Sequence, residues 1–252
     1  MQQHGGRYGF DSRHRHKTIM DWKYTKENPL RVFTAFSGYD SQCLALRKVG
    51  VPFDLVGWSE IDPYAIRAHD AIFPEYKDKN FGDICKIDWS AVPDFDLFTY
   101  SFPCTDISNA GRQQGLAEGS GTRSSLLWEC KKAIEAKRPR FLLMENVKAL
   151  VSDKFMPYFS QWCNYLTGLG YVNYAQVLNA KDYGIPQNRE RVFVVSIIEN
   201  EWFNFPRPKE LKLRLKDMLE EKVDEKYYLP QDKVNQFIEQ LDDEKKALIE
   251  TD

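Results

Sequence analysis

The sequence predicts an α/β protein built on a doubly wound, mostly parallel sheet. Two observations carry this. Short β-branched and aromatic runs alternate with amphipathic segments in units of about 30 residues, the length of a strand, crossover helix and return strand. In addition, the unusual polar clusters SGYD, SEID, SFPC and MENV each directly follow a run that reads as a strand, and sheets of this kind bind ligands beyond the carboxyl ends of their strands.

The elements follow in order. RVFTAF is an apolar run that ends at SGYDS, and SQCLALRKVG then places Cys43, Leu44, Leu46 and Val49 at helical spacing before Gly50 closes the segment. FDLVGWSE reads as a second strand and DPYAIRAHDAIF as a helix entered through Asp62, with Pro63 in its first turn. FDLFTYSF is a third strand, and SSLLWECKKAIEAK is an amphipathic helix that stops before RPR. FLLMENV is the fourth strand, and MPYFSQWCNYLTGLG a helix stopped by Gly168 and Gly170. VNYAQVL and RVFVVSII are late strands, the second apolar enough to be expected buried on both faces.

Outside this alternation the texture changes. Residues 1–28 are polar, rich in His and Arg and without apolar period, and read as a tail, docked loosely or serving as a nucleic-acid arm. Residues 29–200 form the expected catalytic domain, and residues 201–252 a charged helical extension in which Phe237, Ile238, Leu241 and Leu248 give a narrow apolar stripe.

Composition limits the function classes. A chain of 252 residues with 42% hydrophobic and 14% aromatic residues has the apolar supply for a substantial core. No apolar run approaches the length of a membrane span and the N-terminus lacks the apolar core of a secretory signal, so the cytoplasm is the expected compartment. A net charge of −2 does not advertise a nucleic-acid partner, although one basic cleft on an acidic surface would escape this count. The five cysteines, Cys43, Cys85, Cys104, Cys130 and Cys163, are too irregularly spaced for a disulfide framework or a metal site. Free thiols and no metal are expected.

The first two strand ends point to a cofactor. FSGYD is a glycine turn, but Asp40 stands where a dinucleotide fingerprint would need a second glycine. Glu60 ends the second strand about 20 residues further on, where a carboxylate in this architecture accepts from ribose hydroxyls. A ribose acceptor without a full phosphate cradle suits an adenosine ligand that lacks a pyrophosphate, such as S-adenosylmethionine. Asp83, in FGDI, is then a candidate acceptor for the adenine amino group.

The next two strand ends point to chemistry. Cys104 follows Pro103 in SFPCTDIS, and thiolates are favoured at helix N-termini and near cations, influences that TDIS and Arg112 would supply. Glu145 and Asn146 end the neighbouring apolar strand, where a buried carboxylate is costly without a partner. Arg189 and Arg191, in YGIPQNRERVF, stand two apart and are expected on one face as the chain enters a strand. Ion pairing with nearby carboxylates would be their structural role.

These segments, FSGYDS, WSEIDPYA, GDI, SFPCTDIS, RSSLLWE, MENV and YGIPQNRERVF, resemble in content and order those of the cytosine-5 DNA methyltransferases over roughly residues 30–200. The resemblance implies a Rossmann-like S-adenosylmethionine-binding fold. It implies Cys104 as nucleophile toward carbon 6 of a flipped cytosine, Glu145 on N3 and the exocyclic amine, Arg191 on the base carbonyl, and Arg189 in support of the catalytic loop. It implies cofactor contacts from Phe36, Ser37, Gly38, Glu60, Ile61, Asp83, Ile84, Ser101 and Pro103, and double-stranded DNA as partner in a bacterial or phage modification system. Asp40 and Ser41 depart from glycines common in the family, and Ser101 and Thr105 stand where Gly and Gln are usual. The chain stops about 60 residues after Arg191, so a target-recognition domain and closing segment are expected elsewhere, for instance on a second subunit. A tRNA-directed member, a non-catalytic cofactor-binding or regulatory subunit, and a nicotinamide-dependent oxidoreductase are the other readings; the last lacks both its cofactor loop and a hydride-transfer constellation.

Overall fold

β1 (Leu30–Ala35) lies centrally in the sheet because it is apolar on both faces, with five of its six residues buried. Leu30 and Val32 face one core; Phe33 and Ala35 face another, as the two-residue period of a strand requires. The computed structural model describes residues 24–107, 116–198 and 202–241. The chain falls in two compact units, the first comprising residues 1–178 and 190–206, the second residues 179–189 and 207–252.

The first unit holds a six-stranded sheet in the order β2-β1-β3-β4-β6-β5, formed by β1, β2 (Phe53–Ser59), β3 (Leu97–Tyr100), β4 (Phe141–Val147), β5 (Val172–Asn179) and β6 (Glu190–Ile197). β1 pairs in parallel with β2 and with β3, and β3 with β4, so four carboxyl ends reach one edge of the sheet. The strand order reverses between β1 and β3, the switch point at which open α/β sheets form their ligand crevice. β6 is antiparallel to β4. The expectation that β6 is buried on both faces holds only in part: Val192, Val194 and Ser196 are buried on one face, whereas on the other Arg191, Phe193 and Val195 are half-buried and only Ile197 is buried. A strand near the sheet margin receives less cover than a central one.

The helices divide between the two cores. α1 (Ser41–Val49) and α2 (Pro63–Ile72) pack through Cys43, Leu44, Leu46 and Ile66 on the core that contains Val32, Leu55, Trp58 and Phe73. α3 (Cys130–Lys137) and α4 (Met156–Gly168) pack through Ala133, Ile134, Trp162 and Leu166 on the larger core with Phe98, Tyr100, Leu142 and Met144. Local signals fix the ends. Gly50 closes α1 at φ 76°, and the Asp62 side chain accepts from the Tyr64 and Ala65 N–H groups ahead of α2. The stretch expected as one long helix before RPR begins instead as a 3₁₀ segment, Arg123–Glu129, capped by Thr122, and becomes α-helical only at Cys130. Gly168 ends α4 from within, and Gly170 turns the chain at φ 91°.

In the second unit, Lys209 N–H donates to the Asp182 carbonyl at 2.7 Å. α5 (Gln231–Glu239) turns Val234 and Ile238 partly inward, followed by Leu241, whereas Phe237 is 57% exposed and lies off the expected stripe. Leu248 and the tail up to residue 23 lie outside the described residues.

One close approach governs the edge of the sheet near the first strand ends. β1 and β2 slip register at Val32/Phe33, so that Phe33 lies opposite Gly57. A Cβ on Gly57 would stand 2.7 Å from the ring of Phe33, and that ring is fully buried among Trp89, Phe95 and Phe98. Overpacking of this kind typically costs about 1–3 kcal/mol. Gly57→Ala is therefore expected to lower the urea-unfolding free energy by about that amount without changing the slope, whereas Gly50→Ala, with open space at the Cβ position, should lose only the smaller left-handed backbone contribution.

Candidate active site

The first loop at the switch point is a chain of left-handed residues. Phe36, Gly38 and Asp40 have φ of 55°, 58° and 63°, a conformation glycine adopts freely and aspartate more readily than most residues. The turn is held from inside. Ser37 Oγ donates to the Thr34 carbonyl at 3.0 Å, Asp40 N–H donates to the Ser37 carbonyl at 2.8 Å, and Gly38 N–H donates to Glu60 Oε2 at 2.9 Å. Ser37 is thus buried and engaged, and Phe36 is packed against the larger core.

Glu60 is fixed at the end of β2. Its Oε1 accepts from Ile61 and Asp62 N–H at 2.8 and 2.9 Å. Asn80 brackets the same backbone: its Oδ1 accepts from Glu60 and Gly82 N–H, and its Nδ2 donates to the Glu60 carbonyl. Asn80 was not among the sequence candidates, and its only signal was a turn-forming residue beside FGD. Asp83 caps the short 3₁₀ turn Ile84–Lys86 by accepting from Cys85 N–H at 3.0 Å. Ile84 is buried in the larger core, whereas Ile61 is 66% exposed.

These groups fit an adenosine cofactor. Glu60 Oε2 has taken one hydrogen bond, so a carboxylate lone pair remains for a ribose hydroxyl. Ile61 presents apolar surface next to it, and among the described residues no atom outside the adjoining residues lies within 4 Å of where a side chain on Gly38 would begin. A cavity of about 470 Å³ lined by Arg31, Asp96, Lys137 and Arg140 belongs to the opposite, amino ends of the strands and lies away from these groups.

Across the switch point, Gln42 Nε2 donates to Ser101 Oγ at 3.1 Å, tying the start of α1 to the loop after β3. Tyr100 pairs with Met144 in the β3–β4 register, so residues 101–104 leave the sheet beside Glu145–Val147. Three polar contacts then fix this loop. Asn146 Nδ2 donates to the Phe102 carbonyl at 2.9 Å; Ser124 Oγ donates to the Pro103 carbonyl at 2.7 Å; Ser124 N–H donates to Asp106 Oδ2 at 3.0 Å. Cys104 is half-buried against the larger core and its carbonyl accepts from Ile107 N–H at 3.1 Å, closing a turn. Arg112 and the rest of that loop up to residue 115 lie outside the described residues.

The remaining thiols are poorly suited to attack. Burial pushes Cys43 and Cys130 well above the ordinary thiol range and raises Cys163 to about 11; a thiol that resists ionisation is a weak nucleophile. Exposed Cys85 is also raised, by desolvation first and then by Asp83 and Glu129.

Glu145 meets Arg191. Val147 lies opposite Arg191 and Glu145 opposite Phe193, which makes Glu145 and Arg191 diagonal neighbours on one face. Arg191 Nε stands 3.1 Å from Glu145 Oε1, with both side chains about four-fifths buried, and its Nη1 donates to the Glu190 carbonyl at 2.7 Å. Arg189 does not join them on the same strand. It belongs to the second unit, where its N–H donates to Asn179 Oδ1 and its carbonyl accepts from Ala180 N–H.

The fold class is that of the S-adenosylmethionine-dependent methyltransferases. Sequence comparison narrows it: residues 30–250 match the family described as C-5 cytosine-specific DNA methylase. The type II methyltransferase M2.ScrFI of Lactococcus lactis subsp. cremoris is 45% identical over 258 aligned positions, covering 82% of this chain and 72% of that protein. The orphan methyltransferase M.SPRI of Bacillus phage SPR is 36% identical, covering 84% of this chain and 55% of that protein. Among solved structures, the Dnmt2 methyltransferase of S. pombe superposes with a TM-score of 0.65 at 21% identity, covering 85% of this chain and 67% of that one, a likeness of fold. The chain belongs to the C-5 cytosine-specific DNA methylase family, whose methyl donor is S-adenosylmethionine. Among the described residues no helix is long and apolar enough to cross a membrane, and no cluster of metal-ligating side chains occurs.

Asn146→Ala would leave the Phe102 carbonyl without its donor inside the protein, a loss of about 1–3 kcal/mol. Urea unfolding should report that loss, while Val147→Ala, a change on the half-buried face, should cost less.

Proposed function

We propose that this chain transfers a methyl group to carbon 5 of a cytosine flipped out of double-stranded DNA, with Cys104, Glu145 and Arg191 acting on the base. The observation that carries the reading is the Glu145–Arg191 pair, set at the end of the strand whose next residue, Asn146, holds the backbone of the Cys104 loop.

Carbon 5 of cytosine is a weak nucleophile in the intact ring. Attack of the Cys104 thiolate on carbon 6 breaks the 5,6 double bond and moves its electron pair to carbon 5. Glu145 supplies a proton to N3 as this happens, so that negative charge does not accumulate on the ring. Because Oε1 is held by Arg191, Oε2 is the oxygen left to face N3 and the exocyclic amine, and the guanidinium has further N–H groups for the base carbonyl. Gly38, Glu60, Asp83 and the backbone of Phe36 and Ser37 would hold S-adenosylmethionine, which would supply the methyl group that carbon 5 bonds, with S-adenosylhomocysteine as the leaving group. Loss of the carbon 5 proton to a base then expels the Cys104 sulfur, and the N3 proton returns to Glu145. None of these ring atoms is reachable in a stacked duplex, so the target base has to leave the helix.

Residues 29–200 act as the catalytic domain, and base-edge reading in the major groove falls to a recognition segment, on this chain or on a second subunit. The relatives are bacterial and phage proteins, and the bacterial cytoplasm is the compartment proposed.

The test is transfer of a labelled methyl group from S-adenosylmethionine to duplex DNA, with 5-methylcytosine identified in the digested product. Cys104→Ala is expected to abolish transfer, Glu145→Gln to slow it by about 10²–10⁴-fold, and Arg191→Ala to slow it less. Unchanged transfer by Cys104→Ala would overturn the mechanism. A folded chain that binds cofactor but gives no product with any DNA, even with a relative's recognition segment added, would favour a non-catalytic role.

A further inference from the structure

Through its side chain Asp40 reaches three separate elements of the fold. It is fully buried and left-handed. Oδ1 accepts from Cys43 N–H at 3.3 Å, Oδ2 accepts from Thr34 Oγ1 at 3.0 Å, and Oδ2 lies 3.9 Å from Nε2 of His69. One carboxylate therefore joins β1 through Thr34, α1 through its first turn, and α2 through His69. Burial holds its carboxyl above the usual range, against the smaller opposing pull of the Cys43 and Thr34 hydrogen bonds and His69.

His69 is equally enclosed. Its ring stacks on Trp58 at 3.7 Å between centroids, and Nδ1 lies 3.4 Å from Asp70 Oδ1. Nε2 makes no hydrogen bond among the described residues and faces the Asp40 carboxylate across the 3.9 Å gap. A buried imidazole nitrogen is costly unless its environment is polar, and nothing in the methyl-transfer chemistry uses His69.

The contacts close a circuit. Glu60 Oε1 accepts from Asp62 N–H at the start of α2, Glu60 Oε2 accepts from Gly38 N–H, the loop runs on to Asp40, and Asp40 meets His69 near the far end of α2. Phe36 and Asp40, both left-handed without being glycine, are held in a conformation that persists only where surrounding structure over-determines it.

We propose that Asp40 and His69 are positioning residues for the methyl donor, bracing the 36–40 loop against α2 so that Gly38 and Glu60 are already in binding geometry before the cofactor arrives. The inference rests on the reading that this loop and Glu60 hold S-adenosylmethionine, and goes beyond it by assigning the buried Asp40–His69 contact a function. A pre-formed loop spares the ordering cost that a loose one would incur on binding.

The experiment is calorimetric titration of the full chain with S-adenosylhomocysteine, alongside thermal melting of each variant. Asp40→Ala removes every contact and should weaken binding about tenfold. Asp40→Asn keeps the helix cap and tolerates the left-handed backbone, while His69→Phe keeps the ring on Trp58; each should weaken binding about threefold. Combining Asn and Phe should cost no more than either alone, because both remove one shared contact. If Asp40→Ala fails to fold, the two milder variants and their combination still decide. Variants that melt earlier yet bind as tightly as the parent would overturn the proposal, reducing the pair to a stability role. A folded parent chain that shows no binding would instead bring down the cofactor reading, and the proposal with it.

Discussion

A strand that stops inside a sheet leaves backbone carbonyls that must find donors, and the position of the proposed nucleophile, Cys104, depends on how β3 meets that demand. Phe102 takes its donor from Asn146 and Pro103 takes its donor from Ser124. Both donors stand on segments anchored in the larger core, through Met144 on β4 and through Leu127 and Trp128 on the 3₁₀ segment. Buried hydrogen bonds of this kind are worth little in net stability but are costly to leave unmade. The apolar packing of the core is thereby converted into a fixed path for the backbone that carries Cys104.

The dipeptide Glu145–Asn146 divides its work by the pleat. Successive side chains on a strand point to opposite faces, so Asn146 turns to the buried side and braces the loop, while Glu145 turns to the half-buried side and pairs with Arg191. Desolvation offsets much of the attraction in a partly buried ion pair, but its geometry restricts both groups. The antiparallel pairing of β6 with β4 is what brings the guanidinium there, since Arg191 enters β6 at the end where Val147 leaves β4. Gln42 performs the equivalent join at the other side of the crevice, linking the start of α1 to Ser101.

The strands were legible because apolar runs of four to eight residues bounded by Gly, Pro and Asp leave a local signature, and the strand ends were legible because polar residues there cannot be explained by packing. Single polar side chains that bridge distant segments left no such trace. Gln42 to Ser101 and Asn80 to Glu60 span 59 and 20 residues, with no periodicity to reveal either. The apolar sequence of β6 did not reveal that one of its faces would be fully covered only at Ile197, because coverage is decided by neighbouring strands and helices. Asp40 read as a substituted glycine; only the arrival of His69 from α2 gives its carboxylate a partner across the fold.

Methyl transfer by this route requires above all that the sulfur of Cys104 bond to the base. Incubating the chain with S-adenosylmethionine and duplex DNA containing 5-fluorocytosine, which blocks the final loss from carbon 5, tests this directly by intact mass and peptide mapping. The expected product is a stable protein–DNA adduct whose mass includes one transferred methyl group and whose bond maps to Cys104. An adduct that maps to another cysteine, or that forms equally in Cys104→Ser, would contradict it.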